Sequence, residues 1–151
     1  ALEPGKSYTL QISSKWRDEN LIPLIASFTK TFKVIAEDRT AIDPAQWKFT
    51  APKSGSVLPL TVHFGESLDA ALALRLITLP IEGHASLGPN EQSWIFSPSQ
   101  PWQSGCLELS IDTALEDLAG NKVGRPFDVD TFDPVTVRSG RGIVRVPIQI
   151  H

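Results

Sequence analysis

The sequence predicts an all-β protein, an antiparallel β-sandwich with one short helix. Three observations carry that prediction. Apolar and polar residues alternate with a period of two in six separate runs, the pattern of strands with one buried face. Turn-forming clusters separate the runs: Pro52-Lys53-Ser54-Gly55, Gly88-Pro89-Asn90 and Ser104-Gly105. The 12 prolines and 10 glycines fall among the connections, as in short-stranded antiparallel proteins.

Taken in order, the first run sets Tyr8, Leu10 and Ile12 against Thr9, Gln11 and Ser13. The second sets Phe28, Phe32 and Val34 against Thr29, Thr31 and Lys33, with Lys30 on the apolar side. Leu58, Leu60, Val62 and Phe64 form the third, with His63 on its polar side. Ser67 then stands before Leu68–Leu74, where Leu68, Ala71 and Leu72 share a helical face. That spacing predicts a helix near 68–74, leading into a strand near Leu76–Leu79. Trp94 and Phe96, then Leu107, Leu109 and Ile111, then Val144, Val146, Ile148 and Ile150 supply the remaining strands.

Composition narrows the function classes. The chain has 151 residues, enough for one domain and part of another, and a net charge of −3. An acidic balance argues against nucleic acid or an anionic membrane as partner, since both select a basic face. One cysteine forms no intrachain disulfide and no cysteine-built zinc site. No apolar run approaches the roughly 18 residues of a membrane-spanning helix, so no membrane insertion is expected. The N-terminal residues lack the basic-then-apolar layout of a signal peptide. With no methionine anywhere, Ala1 is not a translational start.

An internal repeat is also expected. A shift of 99 positions places Tyr8 on Leu107, Leu10 on Leu109, Ile12 on Ile111, Trp16 on Leu115 and Asp18 on Asp117. Phe28 then falls on Phe127, while Phe32 matches Phe132, one position further on. That offset predicts a β-bulge near Asp130–Thr131. Because the second copy is preceded by strands and the first is not, the expectation is a piece excised from a longer polypeptide. The predicted organisation is a half-unit over 1–43, a complete unit over 44–133, and a C-terminal strand segment over 134–151 that pairs with 1–36 or with another copy.

Three phrases carry a family resemblance: Val62-His63-Phe64-Gly65-Glu66-Ser67-Leu68-Asp69, Trp94-Ile95-Phe96-Ser97-Pro98, and Leu115-Glu116-Asp117-Leu118-Ala119-Gly120-Asn121-Lys122-Val123. Together they resemble the bacterial Ig-like domains of surface-layer and other large secreted proteins, over about 47–132, with a degenerate half-copy over about 2–36. The resemblance implies an Ig-like sandwich acting as a non-catalytic spacer, structural or adhesion module. It further implies an exported, periplasmic or cell-surface location, with neighbouring domains of the same polypeptide as partners.

The candidate chemistry is sparse. Asp117, Gly120 and Asn121 read as a structural turn, the carboxylate accepting backbone N–H groups and the glycine supplying a positive φ. Asp128, Asp130 and Asp133 could join Asp117 around calcium, although alternation puts Asp128 and Asp130 on a solvent face. No other cofactor is expected. Glu66 and Asp69 flank the helix start, where anions suit the free N–H groups. His63, His84 and His151 lack metal-ligand spacing. Cys106 reads as a partly buried, inert thiol. Trp16 and Trp94 are expected in the core, whereas Trp47 and Trp102 lie at element edges, where an exposed ring would stack on a sugar. They are the candidate ligand-binding residues of an alternative, a carbohydrate-binding sandwich. No phosphate loop, nucleophile elbow or metal motif is present, so no enzyme is expected.

Overall fold

A computed structural model describes residues 2–125, 127 and 142–151, and divides the chain into two compact units, 1–38 and 39–151. The Asp130–Thr131 bulge, with Asp128, Asp130, Phe132 and Asp133, lies outside the described residues. The unit boundary at Asp38 falls before the predicted one at residue 43.

The first unit is an antiparallel hairpin of β1 (Ser7–Ile12) and β2 (Phe28–Lys33). Its register sets Tyr8 opposite Phe32, Leu10 opposite Lys30 and Ile12 opposite Phe28, so these six side chains share one face. On the other face the Thr9 and Thr31 hydroxyls are 3.0 Å apart. Tyr8 and Phe32 stack with ring centroids 6.2 Å apart.

The second unit holds β3 (Lys48–Thr50), β4 (Leu60–His63), helix α1 (Ala70–Leu76), β5 (Ile77–Thr78), β6 (Gly83–Leu87), β7 (Ser93–Pro98), β8 (Gly105–Asp112) and β9 (Ile143–Ile150). They form two antiparallel sheets, one ordered β3-β4-β7-β6 and the other β5-β8-β9. Lettered A to G in chain order, the strands read A-B-E-D and C-F-G, the order of an immunoglobulin constant-type sandwich. The predicted all-β, Ig-like sandwich is therefore the observed architecture. Leu60, Val62, Trp94 and Phe96 from one sheet and Ile77, Leu109, Ile111, Ile148 and Ile150 from the other close a single core.

Alternation is clearest in β8, where Leu109 and Ile111 are fully buried and Cys106 and Glu108 face outward. Strand β9 pairs with β8 over all eight residues, as the third strand of this sheet. It carries Pro147, which a sheet accepts on an edge strand because no ladder N–H is needed there.

The helix begins two residues later than predicted. Asp69, not Ser67, is the N-cap, its carboxylate accepting from the Leu72 N–H at 2.8 Å. Leu68 is instead extended and fully buried, bridging to Asp117, so the chain cannot turn helical before residue 69. Strands β3 and β6 have no alternation signal. In β6 a side chain on Gly83 would collide with the Phe96 ring and the Ser97 carbonyl, so this edge strand approaches β7 closely only as glycine.

Candidate functional site

The loop leaving β8 holds the residues with the most organised polar chemistry. Asp112 Oδ1 accepts from the Ala114 N–H at 2.8 Å, and the Leu115 N–H donates to the Asp112 carbonyl at 3.0 Å. That turn drives Leu115 into the core. Asp117 follows, almost wholly buried. Its Oδ1 accepts from the N–H groups of Ala119 at 2.8 Å and Asn121 at 2.9 Å, and its Oδ2 from Asn121 Nδ2 at 2.8 Å. Gly120 supplies φ +89°, and Asn121 Oδ1 accepts from the Phe127 N–H at 2.7 Å. The loop is tied to the helix start, because the Asp69 N–H donates to the Glu116 carbonyl at 2.9 Å.

An ionised carboxylate offers about four lone-pair sites, and three of those on Asp117 already hold protein N–H groups. Asp117 is thus committed to the turn. Of the predicted calcium set, Asp128 and Asp130 fall outside the described residues. Glu66, which the sequence placed only at the helix start, has a carboxylate oxygen within 4.8 Å of one of Asp117. The Leu68–Asp117 bridge and the Asp69–Glu116 backbone bond bring these two segments together, so no sequence spacing points to the pair.

The loop leaving β1 has the same hydrogen bonds 99 positions earlier. Asp18 Oδ1 accepts from the N–H groups of Asn20 and Ile22, each at 2.9 Å. The Asp18 N–H donates to the Ile22 carbonyl at 3.0 Å, as that of Asp117 does to Asn121 at 3.0 Å. The Trp16 N–H donates to Ser13 as that of Leu115 does to Asp112, and the Lys15 N–H finds the Ser13 hydroxyl as that of Ala114 finds the Asp112 carboxylate. Leu21 takes φ +65° at the position of Gly120, and the bridge Arg17–Pro23 answers Glu116–Lys122.

The predicted tryptophan platforms are closed. Trp47 follows a 3-10 turn at Pro44–Gln46 and packs on Phe64 with centroids 4.8 Å apart. Trp102 lies against Phe96, and its indole N–H donates to the Leu58 carbonyl at 2.7 Å. Backbone bonds from Gly55 to Trp102 and from Trp102 to Ser56, at 2.7 and 2.9 Å, lock the β7–β8 connection onto the β3–β4 connection. Both indoles are buried, which removes the open ring face a stacked sugar needs. One wall of a groove of about 340 Å³ includes Trp102, with Ile81, Glu82, Gln100 and Leu107. A second, of about 450 Å³, lies between Ile42–Ala45, Val123–Gly124 and Val144–Pro147.

Three further expectations change. Trp16, expected in the core, is 70% exposed. Cys106 is exposed, because it sits on the outward-facing parity of β8. Phe127 belongs to no strand: ladder register sets Val144 opposite Ile111 as Phe28 is set opposite Ile12. His63 is exposed and lies 3.2 Å from the Thr50 hydroxyl.

No protein-family model matches the chain, and no curated protein matches it.

Proposed function

We propose that this chain is a non-catalytic Ig-like structural or adhesion module of a longer, exported bacterial polypeptide, with neighbouring domains of that polypeptide as its partners. The observation that carries the reading is the strand order A-B-E-D and C-F-G in residues 39–151. Fold alone does not assign function. The second support is the use made of the side chains with chemical potential: Asp69 caps the helix, Asp117 and Asn121 close a turn, and Trp102 clasps two connections. Each acts on the fold, which is what a spacer requires of them. Outward-facing strands and a buried carboxylate turn suit a rigid element that transmits position rather than turning over a substrate.

Cell fractionation with antibody raised to the chain tests the reading. The expected result is a band far above 16.5 kDa in an exported or envelope fraction. A cytosolic band at 16.5 kDa, or a turnover abolished by one point substitution, would overturn it.

A further inference from the structure

The β1–β2 hairpin presents a face that the second unit's own hairpin keeps covered. By register, Tyr8, Leu10 and Ile12 stand where Leu107, Leu109 and Ile111 stand in β8, and Phe28, Lys30 and Phe32 stand where Val144, Val146 and Ile148 stand in β9. Leu109 and Ile111 are 0% exposed, whereas Leu10 is 48%, Phe28 51% and Phe32 38% exposed. The loop beyond each strand repeats the same pattern, Trp16 at 70% answering Leu115 at 0%. An Asx turn alone would reproduce the bonds to the aspartate. It would not also reproduce the Ser13 turn, the positive φ at Leu21 and the Arg17–Pro23 bridge at one common offset.

We infer that residues 7–33 are the F–G hairpin of a second Ig-like unit, and that their apolar face docks the A–E strands of such a unit, supplied from outside this chain. The template is the established interface within residues 39–151, where β8 and β9 face the sheet β3-β4-β7-β6. The same template says where an added strand bonds. β8 has β5 on its other edge, Ile77 opposite Ile111 and Thr78 opposite Ser110, so the partner's C strand lies along Gln11–Ile12. Within residues 1–38, β1 has only β2 beside it. Lys30 is compatible with this docking: its counterpart Val146, on the outer strand, is only partly buried, and a lysine stem there lies on apolar surface while its ammonium reaches water. The inference rests on hairpin geometry and needs neither the export nor the adhesion reading.

The test uses the full chain, alone and with a second copy of residues 39–104 joined ahead of residue 1, so that strands A–E precede the hairpin. Amide hydrogen exchange is read separately in β1–β2 and in β8–β9, the latter reporting that the main domain is folded. In the extended protein β1–β2 exchange is expected to slow by about a hundredfold or more, and a Phe28→Asp variant is expected to abolish the gain while leaving β8–β9 unchanged. Exchange in β1–β2 as fast as in the chain alone, or protection that survives Phe28→Asp, would overturn the inference. Protection in the unextended chain that rises with protein concentration would assign the face to a second copy, and would overturn it equally.

Discussion

Two aspartate loops, ninety-nine residues apart, have the same backbone hydrogen bonds and lead to opposite burial. Around Asp117 the turn sends Leu115 into the core, and Asn121 adds side-chain bonds to Asp117 Oδ2 and from the Phe127 N–H. Around Asp18 the same turn holds Trp16 in solvent, and Ile22 stands where the asparagine stands. Local chemistry therefore sets the loop, while a facing sheet decides whether the apolar residues it delivers are buried. The glycine difference follows the same lesson. Gly120 meets the positive φ without strain, whereas Leu21 adopts it at a cost of about 1–2 kcal/mol that an L-residue carries in this region.

Paired substitutions sharpen this contrast, beginning with the largest expected effect. Leu109→Ala opens a cavity in a closed core and should lower the stability of the 39–151 domain by about 3 kcal/mol in urea unfolding followed by tryptophan fluorescence. Leu10→Ala, its counterpart, should shift that transition by less than about 0.5 kcal/mol, because half its surface is already in water. A comparable loss from both would erase the distinction between covered and uncovered hairpins.

Asp117→Ala leaves the buried Asn121 N–H and side-chain amide without their acceptor and frees the N–H of the more exposed Ala119. The expected loss is about 2 kcal/mol. Asp18→Ala leaves its freed donors to water and should leave the main unfolding midpoint unmoved. Gly120→Ala forces the unfavourable φ and sets a methyl 3.1 Å from the Phe127 ring, for a loss of about 1.5 kcal/mol. Leu21→Gly should act with the opposite sign, slowing amide exchange in β1–β2 severalfold. Among the buried positions the smallest loss is expected for Trp102→Phe, which keeps most of the packing but leaves the Leu58 carbonyl without its donor. About 1 kcal/mol is expected, read as a lower melting temperature with an unchanged fold by circular dichroism.

Much of this architecture was legible in the sequence, for a physical reason. Period-two alternation reports which residues share a face, so β1, β2, β4, β7, β8 and β9 were all readable. The same pattern does not say whether anything lies over that face. The repeat is silent on this too: it sets Trp16 on Leu115 and so predicts burial, yet Trp16 stands outside. Strand β6 runs Gly83-His84-Ala85-Ser86-Leu87, and the close approach of Gly83 to the Phe96 ring is a contact that no local pattern encodes. Trp47 and Trp102 were ambiguous because both flank connections. Their burial depends on partners far along the chain, such as the Leu58 carbonyl 44 positions from Trp102. The aspartate turn was legible because its donors lie within four residues. The approach of Glu66 to Asp117 was not, because it depends on a bridge between residues 68 and 117.

Hydrogen exchange of the unmodified 151-residue chain at low micromolar concentration tests the central claim most directly, that one of two like-built hairpins has its apolar face covered and the other does not. The account predicts that amides of Leu107–Ile111 exchange only through global unfolding, roughly a thousandfold or more slower than those of Tyr8–Ile12. Equal protection in the two strands would contradict it.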